Sequence, residues 1–164
     1  YFITAMAAPS GDNGSDWFTA KSKGLAVGLM AVGVSGGTTR VLKNVSGRTR
    51  PDESDNKSFP SGHSTRSGAF TTLARRNLDS LSLSSKSRLL ANIGIAGISV
   101  GTGWARVEAN GHYPSDVLVG YALGHYFSAF INDAFLGPYN DEAPRFTITP
   151  SQKGIWLGAT WSLR

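Results

Sequence analysis

Three short segments of the chain contain side chains whose types and spacing could bind and transfer a phosphoryl group. The segment RVEANGHYPSD places Arg106, His112 and Asp116 at spacings of six and four residues. An arginine can grip two oxygens of an oxyanion, and an imidazole can act as a nucleophile or carry a proton. A carboxylate beside an imidazole can orient it, as in a catalytic triad. This segment predicts nucleophilic or acid–base chemistry at a loop that leads into a helix.

Two earlier segments supply further parts of an oxyanion site. In KNVSGRTRP, six residues separate Lys43 from Arg50, and a proline follows the arginine. In SFPSGHS, Ser61 and Gly62 precede His63 at a turn into a helix, whose first amides and dipole favour anions. Cations gathered there could stabilise the charge that develops on the equatorial oxygens during phosphoryl transfer.

Each of these residues, taken singly, also has an ordinary structural explanation. Asp116 could be a first-turn residue favoured by the helix dipole, and Ser61 could be a plain N-cap. Isolated arginines and lysines are usually solvated surface charges. The ordered combination favours a site over these explanations. His125 belongs to none of the three segments, and we interpret it as a packing residue.

The three segments, in this order, resemble the signature motifs of the type 2 phosphatidic acid phosphatase (PAP2) superfamily: Lys43-x6-Arg50-Pro51, Pro60-Ser61-Gly62-His63 and Arg106-x5-His112-x3-Asp116. This superfamily includes bacterial acid phosphatases, glucose-6-phosphatase and vanadium haloperoxidases. One departure is Ala105, which stands where the family often has serine and removes a possible hydroxyl contact to phosphate. The resemblance implies a helical bundle that hydrolyses phosphate esters without a metal, through a phosphohistidine.

The resemblance also implies a role for each site residue. His112 would be the nucleophile, Asp116 would hold its far ring nitrogen, and His63 would protonate the leaving oxygen. The remaining five residues would bind the phosphoryl oxygens: Lys43, Arg50, Ser61, Gly62 and Arg106. No cofactor is implied, and the sequence contains neither an HExxH motif nor a paired-carboxylate motif that would hold a metal.

The elements that must position these segments are predicted to be mostly α. Helical spacing predicts four helices: from about Asp16 to Val41 with a break or bend at Gly36-Gly37, from Ser61 to Leu81, from Ser85 to Trp104, and from Pro114 to Phe135. Alternating apolar and polar residues after position 144 predict a hairpin. We therefore expect a single-domain helical bundle over residues 1–144, followed by a small C-terminal β-hairpin appendage over residues 145–164.

Three stretches of the predicted helices contain no charged residue, so each could be buried in a core or in a membrane. They are Gly24 to Thr39, Leu89 to Ala105 and Val117 to Asn132. Each is shorter than the roughly 20 residues that a membrane span needs. We interpret them as buried helices of a soluble bundle. Trp156 and Trp161 of the hairpin are interpreted mainly as packing residues, although an aromatic pair there could contact a membrane surface.

Composition and charge limit the possible partners. The chain has 164 residues, a formal net charge of +5 and no cysteine, so thiolate catalysis and disulfides are excluded. A basic chain favours anionic partners, but no run of like charges indicates nucleic acid. The chain begins with tyrosine, which we interpret as a processed N-terminus. Together with a hairpin that resembles outer-membrane strands, this predicts a periplasmic or outer-membrane-associated protein.

These features predict a metal-independent phosphatase that acts on phosphate monoesters or pyrophosphates. A lipid phosphate is the leading substrate, because RVEANGHYPSDVLVGYALG is more similar to lipid phosphatases than to acid phosphatases. A non-specific soluble acid phosphatase is the first alternative. A vanadate-dependent haloperoxidase would use the same oxyanion-binding residues but is typically a much longer chain. A phosphate-binding module without turnover is the non-enzymatic alternative.

Overall fold

The computed structural model of the chain describes residues 1–7, 14–137, 145–151 and 154–160. Within these ranges lie five helices and one two-stranded antiparallel sheet. The elements, in chain order, are α1 (Phe2–Ala7), α2 (Gly14–Ser46), α3 (Gly62–Asp79), α4 (Ser85–Glu108), α5 (Pro114–Leu136), β1 (Arg145–Ser151) and β2 (Gly154–Thr160). The mostly α fold with a small hairpin, predicted from the sequence, is confirmed.

The helix boundaries follow local capping signals in the sequence. Ser61 caps α3, and its side chain accepts a hydrogen bond from the backbone amide of Ser64. Pro114 occupies the first turn of α5, where its missing amide hydrogen costs nothing. Of the break or bend predicted at Gly36-Gly37, the break is wrong, because α2 continues through both glycines to Ser46. A glycine costs a helix about 1 kcal/mol, which the packing of a long helix can offset.

Helices α3 and α5 pack closely because small residues line their contact. Asp116, Gly120, Gly124 and Ser128 recur at every fourth position of α5, and all four are buried. A Cβ atom at Gly120 would lie 2.6 Å from the carbonyl oxygen of Ser61, so no larger residue fits without a shift. This close approach brings the first turns of α3 and α5 together.

The interpretation of α4 as a buried helix is wrong. Of its residues, all of which the structure describes, only Gly103 is buried. Leu90, Val100 and Trp104 are 69%, 70% and 69% exposed. The contact of α4 with its neighbours is made by small or polar residues instead; a Cβ at Gly103 would lie 2.8 Å from Val117. Helical periodicity identifies an apolar face, but it does not say whether that face meets the core.

Large apolar side chains also point outward from α2 and α5. Val41, Leu118 and Tyr126 are each more than half exposed. The uncharged stretches of α2 and α5, predicted to be buried, are therefore only partly buried. By length and composition, one helix among the described residues could cross a membrane, namely Trp17–Ser46, with a mean hydropathy of 1.4. Helix contacts made by small residues, with large apolar residues outside, are typical of helices that pack within lipid.

The C-terminal hairpin pairs β1 with β2 in antiparallel register, so that Thr149 lies opposite Trp156. The side chain of Trp156 is 71% exposed and does not pack into a core. Its interpretation as a packing residue is therefore wrong, and Trp161 lies outside the described residues.

Candidate active site

The three predicted segments meet where α2 and α4 end and α3 and α5 begin. Arg50 of the α2–α3 loop donates a hydrogen bond of 3.0 Å from Nη1 to the carbonyl oxygen of Gly111, which precedes α5. The backbone amide of Ser61 donates to the carbonyl oxygen of Asp116 at 2.9 Å. Lys43, in the last turn of α2, donates from Nζ to the carbonyl oxygen of Lys57 at 2.5 Å. Residues distant in sequence thus form one cluster.

Two arginines converge on the loop before α5. A Cβ atom at Gly111 would lie 3.0 Å from Nη2 of Arg106 and 3.5 Å from Nη1 of Arg50. A larger residue there would push the guanidinium groups apart, so the glycine permits their approach. Arg50 is held further by its Nε, which donates to Asp55 at 2.7 Å. Fixed guanidinium groups at one point can bind several oxygens of one oxyanion.

The first turn of α3 lies against Lys43. A Cβ at Gly62 would be 3.9 Å from Cε of Lys43, so the lysine stem passes over the helix N-terminus. Ser61 is fully buried, and its hydroxyl oxygen accepts from the hydroxyl of Ser64 at 3.0 Å. His63, on the same turn, is exposed. The N-terminus of α3 therefore has a cation above it and an accessible imidazole at its rim.

His112 and Asp116 face each other at the start of α5. Both are buried, and Nδ1 of His112 lies 3.7 Å from Oδ2 of Asp116, longer than a hydrogen bond. Within the described part of the chain, His112 Nδ1 and Arg106 Nε are buried without a hydrogen-bond partner. Such gaps are common in unliganded active sites and close when substrate binds.

The cations of the cluster act on both histidines. Burial lowers the pKa of His112, and Lys43, Arg50 and Arg106 lower it further, against an opposing contribution from the Ser58 backbone. The pKa of His63 is also lowered, first by partial desolvation and then by four positive charges that include Arg106 and Arg66. Both imidazoles thus lie within the field of the same cations, as expected if all serve one anionic ligand.

Two residues at this site were missed in the sequence. Arg48 donates from Nη1 to Oδ1 of Asp116 at 2.8 Å, and the hydroxyl of Ser58 donates to Oδ2 at 2.5 Å. Both lie within segments that had been recognised, Arg48 in the spacer between Lys43 and Arg50 and Ser58 just before Pro60. Arg48 and Ser58 lie 68 and 58 residues from Asp116 in sequence, so no local pattern indicates either contact. A buried carboxylate needs such partners, but the fold decides which residues supply them.

A groove of about 740 Å³ opens beside the cluster, between α2 and the start of α3. Its wall includes Lys43 and Gly62, and it continues along α2 past Gly37 and Gly33. A Cβ at either of these two glycines would meet no atom within 4 Å, so they border open space. The groove leads from the cationic cluster along the helix.

His125 lies outside the cluster, as predicted. Its Nδ1 is 2.9 Å from the hydroxyl of Thr72, a contact between the middle parts of α5 and α3. Among the described residues, no three His, Asp or Glu side chains lie together as they would at a metal centre.

The sequence model of the PAP2 superfamily matches residues 24–136, which include every predicted site residue. The chain therefore belongs to the PAP2 superfamily, as the three motifs predicted. It is similar to the lipid A 1-phosphatase of Rhizobium johnstonii, with 34% identity over 67% of this chain and 50% of the relative. The lipid A 1-phosphatase of Rhizobium etli is 33% identical over 67% of this chain and 53% of the relative. The chain spans about half the length of these relatives. No solved structure matches it significantly.

Proposed function

We propose that the protein is a phosphatase that removes phosphate from a phosphorylated lipid through a phosphohistidine at His112. The observation that carries this proposal is the convergence of three cations and two imidazoles on one cluster. Arg50 and Arg106 meet at Gly111, and Lys43 lies over the start of α3. Membership of the PAP2 superfamily supports the phosphatase reaction.

In the first step, Lys43, Arg50 and Arg106 bind the nonbridging oxygens, together with the amide of Gly62 and the hydroxyl of Ser61. Nε2 of neutral His112 attacks phosphorus, while the bond from phosphorus to the ester oxygen breaks. His63 gives its proton to that oxygen, so the lipid leaves as an alcohol. Asp116, 3.7 Å from Nδ1 in the unliganded site, stabilises the positive charge that His112 gains.

In the second step, water attacks the phosphorus of the phosphohistidine. His63, now neutral, takes a proton from the water, and the bond between Nε2 and phosphorus breaks. Inorganic phosphate is released, and both imidazoles return to their starting protonation states. The cations hold the equatorial oxygens in both steps, so their stabilisation applies to both transition states.

A lipid substrate is supported by the relatives and by the surface of the bundle. Both similar proteins are named lipid A 1-phosphatases. The outward side chains of α4 would contact acyl chains, since Leu90 and Val100 are exposed and no charge interrupts residues 89–105. We propose that these faces contact a membrane, with the site on the periplasmic side. The phosphate of lipid A is therefore the first substrate to test.

The proposal is tested by phosphate release from lipid phosphates in detergent micelles, with sugar phosphates and nucleotides as competitors. Release in the presence of EDTA is expected, with a preference for the lipid. No release from any phosphate ester by the folded protein would contradict the phosphatase. Activity that EDTA abolishes and a divalent metal restores would contradict the metal-free reaction.

The value of kcat/KM is expected to be greatest on the acid side of pH 6.5, the ordinary pKa of histidine. His112 must be neutral to attack, so the rate rises with pH through its lowered pKa. His63 must be protonated to donate, so the rate falls with pH above its lowered pKa. The profile should be measured with an alkyl phosphate and corrected for substrate ionisation. A maximum above about pH 7.5 would contradict the two assignments.

Gly37→Leu is expected to weaken turnover of a bulky lipid phosphate by about 5- to 150-fold, because a side chain in the space that the lipid would fill costs about 1–3 kcal/mol. Turnover of p-nitrophenyl phosphate should stay unchanged, since a small ester does not extend along the groove. Gly97→Leu is the matched control, because a Cβ at Gly97 of α4 also meets no atom within 4 Å. Equal effects on both esters would show that the groove does not hold the lipid.

A further inference from the structure

The carboxylate of Asp116 is held by more contacts than a simple His–Asp pair needs. It is fully buried, and its Oδ1 accepts the hydrogen bond from Nη1 of Arg48 at 2.8 Å. Its Oδ2 accepts from the hydroxyl of Ser58 and, at 3.0 Å, from the backbone amide of Tyr113. Both oxygens are therefore occupied while Oδ2 still faces His112.

Arg48 is itself fixed in place. Its Nη1 also donates to the hydroxyl of Ser115 at 2.9 Å, and its guanidinium carbon lies 4.1 Å from the centre of the Tyr113 ring. Its carbonyl oxygen accepts from the amide of Ser58 at 2.9 Å. An arginine held by a hydrogen bond, an aromatic face and its own backbone presents a defined direction to the carboxylate.

We propose that Arg48 is a positioning residue that acts on His112 through Asp116, by holding the carboxylate in the orientation in which Oδ2 faces Nδ1. The contact of Arg48 with Asp116 has two consequences for His112. It prevents the carboxylate from rotating away, and it offsets part of the negative charge that His112 experiences. The catalytic consequence rests on the proposed function, whereas the electrostatic consequence does not.

Removal of Arg48 is expected to change the pKa of His112 in a defined direction. Ser58 and Tyr113 still hold Oδ2 toward His112, so the carboxylate loses only part of its orientation. The loss of the offsetting guanidinium charge therefore sets the sign of the change. The uncompensated carboxylate then attracts a proton to His112, and the pKa of His112 rises. The charged groups that act on the pKa of His112 are Lys43 from α2, Arg50 from the α2–α3 loop and Arg106 from α4. Asp116 of α5 lies 3.7 Å from Nδ1 of His112. None of them changes in Arg48→Met.

The experiment is an NMR titration of His112 in the full chain, with and without Arg48→Met, in the wild-type and Asp116→Asn backgrounds. The pKa of His112 is expected to rise in Arg48→Met and to change little when the same substitution is made in Asp116→Asn. A rise of equal size in both backgrounds would show that Arg48 acts directly on His112. No rise in either background would overturn the proposal. Double-mutant cycles isolate such pairwise effects.

Kinetics give an independent readout. Arg48 makes no contact with phosphate in this account, so Arg48→Met should lower kcat about 10- to 100-fold with little change in KM. The acid limb of the pH profile should move to higher pH. Arg48→Lys should recover part of the loss, because it keeps the charge. Arg75→Met, at the exposed far end of α3, is the matched control and should leave both constants unchanged.

A variant that keeps the buried charge pair covers the case in which Arg48→Met does not fold. Ser115→Ala removes one contact of Arg48 but leaves its bond with Asp116. We expect a shift of the His112 pKa in the same direction and of smaller size. An unchanged His112 pKa in a folded Ser115→Ala protein would overturn the proposal, whereas Arg48→Lys keeps the charge and is expected to change this pKa little. If the wild-type protein releases no phosphate, the proposed function fails, and the titrations still decide the role of Arg48.

Discussion

Replacement of His112 by alanine is expected to reduce phosphate release by about 10⁴-fold or more. In the proposed reaction the imidazole supplies the nucleophilic nitrogen of the covalent intermediate, so its loss removes the reaction path. The cradle of Lys43, Arg50 and Arg106 stays in place. Binding of vanadate, a tetrahedral oxyanion that can mimic the transferred group, should therefore persist in the variant, as measured by calorimetry.

His125→Ala is the matched control for this substitution. His125 contacts Thr72 in the middle of the bundle and lies outside the cluster, so the variant should turn over substrate at close to the wild-type rate. Circular dichroism and thermal unfolding of both variants show whether the fold is retained. Near-normal turnover by a folded His112→Ala protein would contradict the assignment of the nucleophile.

Replacement of His63 by alanine is expected to affect alkyl phosphates far more than p-nitrophenyl phosphate. An alkoxide leaves poorly without a proton, whereas nitrophenolate leaves as a stable anion. General acid catalysis contributes about 10²–10⁴-fold where the leaving group needs it, and a loss of this size is expected for the alkyl ester alone. His63 is exposed at the rim of the α3 N-terminus, where a leaving group could reach solvent.

The comparison must measure the phosphorylation step. In the proposed mechanism both esters form the same phosphoenzyme, and its hydrolysis would hide the effect of the leaving group. Burst rates from rapid quench separate the two steps. His112→Ala should disable both esters equally and serves as the reference. Equal losses with the two esters in the His63 variant would reject the role of His63 as the proton donor.

Much of the fold was predictable because its signals are local. Ser61 and Pro114 mark the starts of α3 and α5, and both boundaries are confirmed. The site motifs are also short, and their chemistry depends on residue type. Gly36-Gly37 does not break α2, because the local cost of two glycines is outweighed by the rest of a 33-residue helix.

The sequence could not say which side of each helix is buried. Leu89, Ile93 and Val100 have the spacing of a core face, yet they are 60%, 57% and 70% exposed. Which side of a helix is buried depends on whether lipid or protein surrounds the helix. The apolar pattern in the sequence is the same in both cases. Arg48 was missed for a related reason: its importance comes from a partner 68 residues away, which only the tertiary structure reveals.

The central claim is a covalent phosphohistidine at His112. The most direct measurement is rapid-quench trapping of the protein with a substrate that carries a radiolabelled phosphate, followed by peptide mapping. The account predicts a label that is stable in alkali and labile in acid, that maps to His112, and that is absent from His112→Ala but present in His125→Ala. Turnover without any labelled protein during the burst, or a label on another residue, would contradict it.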